Sequence, residues 1–242
     1  LETWKLIEQA GFKNRNIDLM SALPGQTIES YEDTLSKVLA LEPEHISAYS
    51  LILEEGTVFY DWYEKGKLDC GAWKLPSEEE EYAMGELTIL RLAEAGMHRY
   101  EISNYAKQGK ECRHNLGYWD RTEYLGIGAG SSSLIKGERF DHIRDRKAYI
   151  EKIRNGESIL IDREILSVES QMEEFMYLGL RKVEGVSRTD FQNYFGKNVD
   201  DVYGKILDKL EEEQLLEFSG DRIRLTHRGM DVSNCVLAEF LF

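Results

Sequence analysis

Apolar and polar positions along residues 1–60 follow the pattern of an α/β unit. A largely apolar run at 16–23 ends at Pro24, as expected for a strand that is buried on both faces. Thr27 then predicts the N-cap of a helix over 27–41, and a second apolar strand follows at 46–53. Because strand, helix and strand follow one another at this spacing, we expect a parallel βαβ unit with functional groups at the carboxyl ends of its strands.

The pattern in the middle of the chain changes from one element to the next, which predicts an α+β region. The predicted elements are a helix over 77–95, short strands at 100–105 and 124–127, a hairpin that pairs 133–135 with 139–141, and a helix at 145–155.

The last eighty or so residues predict several helices followed by a hairpin. Helices are predicted at about 169–182, 189–195 and 199–213, a hairpin joins 215–218 to 222–225, and a further helix begins after Thr226. This order indicates a winged-helix-like domain. Residues 169–217 hold twelve Asp or Glu against six Lys or Arg, so we expect this domain to pack or bind protein rather than DNA.

Composition narrows the classes of function. A formal net charge of −15 would repel phosphate backbones and anionic lipid surfaces, so we expect no nucleic-acid partner. No apolar run approaches the roughly 18 residues that span a bilayer, and we expect no stable membrane insertion. Three widely spaced cysteines, Cys70, Cys112 and Cys235, argue against a disulfide framework and favour a cytoplasmic location.

The first residues predict that the chain is part of a longer protein. Leu1 has no methionine before it, and the residues that follow predict the end of an amphipathic helix that stops at Gly11.

Two segments are candidates for ligand binding through polar or backbone groups. Asp18 lies in an otherwise apolar strand, where a carboxylate needs either a polar ligand or the turn after Pro24 as its partner, and both interpretations remain open. Residues 124–133 are rich in glycine, which lets the backbone approach a ligand closely, although such segments more often serve close packing.

The most distinctive run is His-Asn-Leu-Gly-Tyr-Trp at 114–119. An imidazole near two aromatic rings suits a flat ligand that carries a metal, and Tyr118 and Trp119 could cover a porphyrin face. Cys112 is a rival soft ligand two residues away. The alternative is a histidine with a purely structural role.

Taken together, several runs resemble the oxygen-independent coproporphyrinogen III oxidases and their relatives, the HemW haem chaperones, a family of radical S-adenosylmethionine (SAM) proteins. The runs that carry the resemblance follow the family's order and lie at 16–27, 44–57, 100–106, 114–119, 124–128 and 225–229. The run at 114–119 resembles the HemW branch rather than the oxidases.

The resemblance implies an α/β fold in three segments. These are the carboxyl-terminal part of a radical SAM partial (β/α) barrel over 1–60, a family-specific α+β region over 61–155, and a mostly helical winged-helix-like domain over 156–242. The implied function is that of a haem chaperone, which binds haem and delivers it to apo-haemoproteins. The alternative is a coproporphyrinogen III oxidase that uses SAM and a [4Fe–4S] cluster, so the resemblance leaves open whether the whole protein is an enzyme.

The resemblance also implies roles for four residues. Asp18, Ile52 and Gly128 correspond to positions at the SAM pocket, and His114 corresponds to the haem ligand. A reduced flavodoxin or a ferredoxin-like protein would be the electron donor of a radical SAM parent. The family usually has an aromatic residue and a glycine at the positions of Ser21 and Ala22, so the shape of the SAM pocket departs from the family here.

The cluster motif of the family, CxxxCxxC, does not occur in these residues. In the family its three thiolates hold three irons of the [4Fe–4S] cluster, and the fourth iron binds SAM. None of the three cysteines here has that spacing. We therefore expect SAM, the cluster and haem to be cofactors of a full-length parent, and we expect no cluster and no metal site in this chain.

Overall fold

Two parallel strands lie where the sequence predicts them, in the first of two structural units. The computed structural model describes residues 1–241. The first unit covers residues 1–111, and the second begins at Cys112. The three-segment division remains a prediction, because compactness alone does not mark where one functional segment ends and the next begins.

The first unit combines helices with one mixed sheet. In chain order its elements are α1 (Glu2–Gln9), β1 (Asn16–Ser21), α2 (Ile28–Leu39), β2 (His45–Ser50), α3 (Val58–Glu64), a 3₁₀ turn (Gly71–Trp73), α4 (Glu78–Glu94), β3 (His98–Arg99) and β4 (Asn104–Ala106). The strand order is β1-β2-β4-β3. The β1 and β2 strands are parallel, with Asn16 opposite His45, which confirms the predicted βαβ unit. The β4 strand is antiparallel to β2 and to β3.

Both long helices of this unit begin at the predicted capping residues. The Thr27 hydroxyl accepts the Ser30 backbone N–H at 3.2 Å, and the Ser30 hydroxyl accepts the Thr27 N–H at 2.9 Å. Ser77 and Glu80 form the same reciprocal pair at the start of α4. These bonds satisfy backbone N–H groups that have no partner within the helix, so the sequence fixes where α2 and α4 start.

The prediction that the first strand is buried on both faces is wrong. Leu19 is buried, whereas Met20 is 46% exposed and Tyr49, opposite it on β2, is 41% exposed. Both α2 and α4 pack on the Leu19 face of the sheet. On the other face, called the open face below, Asp18 and Met20 of β1 are exposed, although His45 of β2 is buried. The core on the covered face consists of Leu19, Tyr31, Leu35, Ile46, Met84, Leu92, Met97 and Tyr105.

Of the strand predicted over 100–105, residues 104 and 105 belong to β4, whereas residues 100–103 form a tight turn between β3 and β4. The Glu101 carboxylate accepts the Ser103 backbone N–H at 2.9 Å, and the Arg99 guanidinium donates to the Ile102 carbonyl. These short-range hydrogen bonds compete with the backbone pairing of a β-strand, so the chain turns here instead of continuing as a strand.

The second unit holds two small sheets and the remaining helices. Its elements are α5 (Arg113–Trp119), β5 (Ser132–Ile135), β6 (Glu138–His142), α6 (Arg146–Asn155), β7 (Leu160–Ile165), α7 (Val168–Gly179), β8 (Val186–Ser187), α8 (Arg188–Phe195), α9 (Val199–Glu212), β9 (Leu216–Ser219), β10 (Arg222–Leu225), α10 (His227–Asp231) and α11 (Ser233–Ala238). The sheets have the orders β5-β6-β7 and β8-β10-β9.

Both predicted hairpins form in this unit. The β5–β6 turn places Lys136 and Gly137 at φ values of 53° and 74°, the left-handed conformation of a two-residue hairpin turn. The β9–β10 pair forms the predicted wing. The buried apolar residues of this unit include Met172, Met176, Leu180, Phe191, Val199, Tyr203, Leu207, Leu210, Ile223 and Phe240.

The strand predicted over 124–127 is reduced to one bridge, between Tyr124 and Leu134. The chain folds back so closely at Gly126 that a Cβ there would lie 2.2 Å from the Ser132 carbonyl oxygen. At this point the glycine allows close backbone packing.

Among the helices of residues 1–241, none combines the length with the hydropathy that a bilayer-spanning segment needs.

Candidate functional site

The α5 helix presents His114 to solvent beside an aromatic pair. Because His114 and Tyr118 are four residues apart, they lie on the same face of the helix. Their ring centroids are 4.7 Å apart in an edge-to-face arrangement. Tyr118 in turn meets Tyr124 edge-to-face at 4.9 Å. The imidazole of His114 therefore contacts the ring of Tyr118, which contacts the ring of Tyr124 in turn.

These rings line an open pocket of ≈180 Å³. Its lining consists of Arg113, His114, Gly117, Tyr118, Thr122, Glu123 and Tyr124. Gly117 contributes no side chain, which leaves space between the rings. Pockets that enclose small ligands usually measure about 300–1,000 Å³, so a large flat ligand would lie across this pocket rather than inside it.

Trp119, which the sequence analysis grouped with Tyr118, lies elsewhere. The Arg181 guanidinium carbon lies 4.5 Å from the centre of its ring, and Trp119 is not part of the pocket lining. One further residue along a helix turns a side chain by about 100°, so Trp119 lies on another face of α5 from His114. The expectation that Trp119 covers a porphyrin beside His114 is therefore wrong for this conformation.

Cys112 also lies outside the pocket lining. It is half-buried and occupies the N-cap position of α5.

Tyr124 begins the glycine-rich candidate segment, but the sequence analysis did not place its ring beside His114. Burial raises the pKa of Tyr124, and the charge of the nearby Arg139 guanidinium offsets this only in part. The phenol therefore stays protonated at neutral pH and does not compete as a phenolate ligand for a metal. The imidazole of His114 is the better ligand in this pocket.

A buried ion-pair network lies beside the pocket. Glu174 on α7 is 3% exposed and accepts hydrogen bonds from Arg121 at 3.0 Å and Arg139 at 2.7 Å. Arg121 follows α5 and Arg139 belongs to β6, so one carboxylate connects three elements around the pocket.

Gly128 has a φ of +103°, and a Cβ there would meet nothing within 4 Å. Its carbonyl accepts the Ser131 hydroxyl at 2.8 Å and lies 3.1 Å from Nδ1 of the buried His142. The carbonyl thus has a structural role, and a role of Gly128 at a SAM pocket remains a prediction.

Asp18 lies on the open face of the sheet in the first unit. Its carboxylate accepts the Asn16 side-chain amide at 2.6 Å. The turn after Pro24 uses a different partner, since Gln26 accepts the Leu23 backbone N–H at 3.2 Å. Within residues 1–241, the alternative in which Asp18 satisfies that turn is therefore wrong.

Ile52 follows the end of β2 and is 73% exposed. Ile52 therefore lies beyond the carboxyl end of β2, the expected edge of the sheet, whereas Asp18 is the third of the six residues of β1. Their role in binding SAM remains a prediction. Ala22 directly after β1 has a φ of 57°, a conformation that favours the glycine that is usual in the family.

Further polar residues on the open face escaped the sequence analysis. The His45 Nδ1–H donates to the Asn16 side-chain oxygen at 2.7 Å, and Nε2 accepts the Tyr100 hydroxyl at 2.7 Å. Burial lowers the pKa of His45, and the Asp18 charge offsets this only in part, so the imidazole is neutral. A lone histidine at the start of a strand gave no signal of this network.

The cysteines do not fit an iron–sulfur cluster. Cys70 and Cys235 are exposed, and Cys112 is half-buried. In the part of the chain that the structure describes, no cysteine belongs to a group of three or more side chains that could hold a metal. A cluster needs several thiolates together, so these residues alone do not build its site.

Comparisons with known proteins agree with the fold. Residues 166–232 match the family model described as the HemN C-terminal domain. The chain is 40% identical to the heme chaperone HemW of Bacillus subtilis (strain 168) over 96% of this chain and 60% of that protein. It is 39% identical to the heme chaperone HemW of Lactococcus lactis subsp. lactis (strain IL1403), over 97% of this chain and 60% of that protein.

A solved structure shares the fold. It is titled "Coproporphyrinogen III oxidase (HemN) from Escherichia coli is a Radical SAM enzyme", and its TM-score is 0.79 with 19% sequence identity over 99% of this chain and 57% of that chain. The expected α/β fold, similar to that of a radical SAM enzyme, is thereby confirmed.

The chain spans about 60% of the length of the two curated HemW relatives described above. The match extends over nearly all of the chain itself and includes the run that carries His114. The chain is therefore similar in sequence to the heme chaperone HemW proteins over most of its length, and residues 166–232 match the HemN C-terminal domain.

Proposed function

We propose that this chain is the haem-binding part of a haem chaperone, which holds haem iron through His114 and passes the haem to apo-haemoproteins. The observation that carries the proposal is the open pocket in which an exposed imidazole stands beside two tyrosine rings. It occurs in a chain homologous to proteins named heme chaperone HemW.

The chemistry of the pocket suits reversible haem binding. A neutral imidazole is a good axial ligand for haem iron, and tyrosine rings contact an apolar macrocycle through their faces and edges. Because the pocket is open and small, most of a bound porphyrin stays accessible. An accessible haem with one protein ligand is captured by an apo-haemoprotein more readily than an enclosed haem.

The alternative is a coproporphyrinogen III oxidase, which the shared fold with HemN favours. An identity of 19% carries the fold alone, however, and the curated relatives at 39–40% identity are named as chaperones. Haem binding at His114 therefore has the stronger support. A cytoplasmic location is part of the proposal, and a flavodoxin or ferredoxin-like donor would be a partner of the full-length protein only.

A haemin titration followed by Soret absorbance tests the proposal. Wild-type protein is expected to bind haemin with a Soret band typical of imidazole ligation. His114→Ala is expected to shift that band and to weaken binding about tenfold or more, because the axial ligand is lost. Cys112→Ser is expected to change little, since Cys112 lies outside the pocket.

His98→Ala is the matched control, because His98 is also solvent-accessible but pairs with Glu111 at 2.9 Å in the first unit. If His98→Ala shifts the Soret band as much as His114→Ala, binding is a general property of surface histidines. An unchanged spectrum and affinity in His114→Ala would contradict the proposal.

We further propose that full-length members use SAM and a [4Fe–4S] cluster, as radical SAM proteins do, and that Asp18, Ile52 and Gly128 contact SAM there. In the full-length protein, residues of this chain then contact SAM, while the thiolates that bind the cluster come from outside this chain. The dispersed cysteines of this chain support that division.

Anaerobic reconstitution with iron and sulfide is therefore expected to give this chain no [4Fe–4S] absorption and no SAM cleavage. Absorption spectra and product analysis check both points, with a full-length HemW homologue reconstituted in parallel as the positive control. A stable cluster at stoichiometric occupancy in this chain would refute the expectation.

A further inference from the structure

The haem pocket proposed above contains a single cationic side chain. In its lining, as far as residues 1–241 define it, Arg113 is the only arginine or lysine. Within that range the exposed Arg113 guanidinium forms no ion pair or side-chain hydrogen bond, whereas Arg121 and Arg139 nearby are held by Glu174. An exposed arginine in a binding pocket with no protein partner is available to a ligand.

The one acidic side chain of the same lining is already engaged. A Glu123 oxygen accepts the Lys136 backbone N–H at 2.6 Å, which ties the carboxylate to the β5–β6 turn. The pocket therefore offers one free cation beside the exposed imidazole, within a chain whose net charge is −15.

We infer that Arg113 binds a propionate carboxylate of the porphyrin whose iron is held by His114. This inference rests on the proposed function and specifies the ligand further: an iron porphyrin that carries ionised carboxylates at its edge. His114 and Arg113 are consecutive on α5, so their side chains diverge by about 100° around the helix. One can reach the iron at the centre of the macrocycle while the other reaches its edge.

The chemistry of the two groups matches. A guanidinium presents N–H donors in a planar fork that fits both oxygens of a carboxylate, and such charge-assisted pairs are stronger than neutral hydrogen bonds. Without a local cation, the propionates would face the repulsion of an acidic protein. Arg113 thus selects the free diacid and fixes how the macrocycle lies across the pocket.

The experiment compares haemin with its dimethyl ester, which keeps the iron and the ring but removes both charges. Wild-type protein is expected to bind the diacid about tenfold more tightly than the diester. Arg113→Gln is expected to reduce that ratio to near one, while the Soret band of bound haemin keeps the position that reports His114 ligation.

Two control variants separate the possible results. Arg154→Gln removes an exposed arginine of α6, outside the pocket lining, and should keep the wild-type ratio. His114→Ala should shift the Soret band but keep a preference for the diacid in its residual binding, so loss of ligation and loss of propionate recognition are distinguishable. The inference is overturned if wild type shows no preference, if Arg113→Gln keeps it, or if Arg154→Gln loses it equally.

Discussion

Replacing Glu174 by alanine is expected to lower the free energy of unfolding by about 3–5 kcal/mol. Glu174 is 3% exposed and pairs with two guanidinium groups, those of Arg121 and Arg139. The Arg121 side chain is 11% exposed, so removing the carboxylate leaves a largely buried cation without its partner. An uncompensated buried charge costs more than the ion pair itself contributes.

At Arg139, burial and ion pairing have opposite effects on the charged guanidinium. Burial works against this guanidinium, but the attraction and the hydrogen bond of Glu174 outweigh it and keep the pKa of Arg139 raised. Glu174→Gln keeps the size of the side chain and one hydrogen-bond acceptor while removing the charge. It should therefore lower the free energy of unfolding by less than Glu174→Ala does. Urea denaturation of the full chain, followed by circular dichroism, measures both.

Glu239→Ala provides the surface comparison. Glu239 pairs with Lys209 at 2.9 Å, but the two side chains are 40% and 48% exposed. Exposed pairs contribute about 1 kcal/mol or less, so this variant should be close to wild type. Equal losses in Glu174→Ala and Glu239→Ala would show that burial does not determine the contribution of the Glu174 network.

Gly185→Ala is expected to destabilise the chain by at least about 3 kcal/mol. Gly185 has a φ of +65°, and a Cβ there would lie 2.0 Å from the Ile223 carbonyl oxygen and 2.7 Å from the Arg224 Cα. Ile223 pairs with Val186 in the β8–β10 ladder, so its backbone cannot move away without breaking that pairing. The substitution combines an unfavourable backbone conformation with a collision between main chains.

Gly196→Ala isolates the first of these two costs. Gly196 has a nearly identical φ of +66° after α8, but a Cβ there would meet nothing within 4 Å. We expect a loss of about 1–2 kcal/mol, the cost of the left-handed conformation alone. The difference between the two variants in thermal or urea denaturation then measures the steric part, and the absence of any difference would contradict the argument.

Some of the fold could be predicted because it depends on neighbours in the chain. Thr27 and Ser77 start helices through bonds to residues three positions away. The turn at Lys136 and Gly137 sets the β5–β6 register. The parallel pairing of β1 and β2 follows from the spacing of strand, helix and strand, and the structure confirms it.

The two wrong strand predictions have a different cause. The apolar pattern alone does not show which face of a strand other elements cover, or where side chains hydrogen-bond the backbone into a turn. Residues 100–103 are apolar enough for a strand, yet the Glu101 and Arg99 side chains bond the backbone into a turn. The first strand was predicted to be buried on both faces, but α2 and α4 pack on the same side and leave Met20 exposed.

For the candidate site, the sequence by itself determined which chemistry is present: an imidazole and two aromatic rings within one short run, in a chain whose motifs resemble one family. Only the tertiary structure decided which of these groups share a pocket. The helical turn of α5 keeps Tyr118 with His114 and sends Trp119 to Arg181, while folding of the second unit adds Tyr124 from beyond the helix. The reason is geometric, because the helix period and long-range packing decide which side chains share a face, whereas adjacency in the sequence does not.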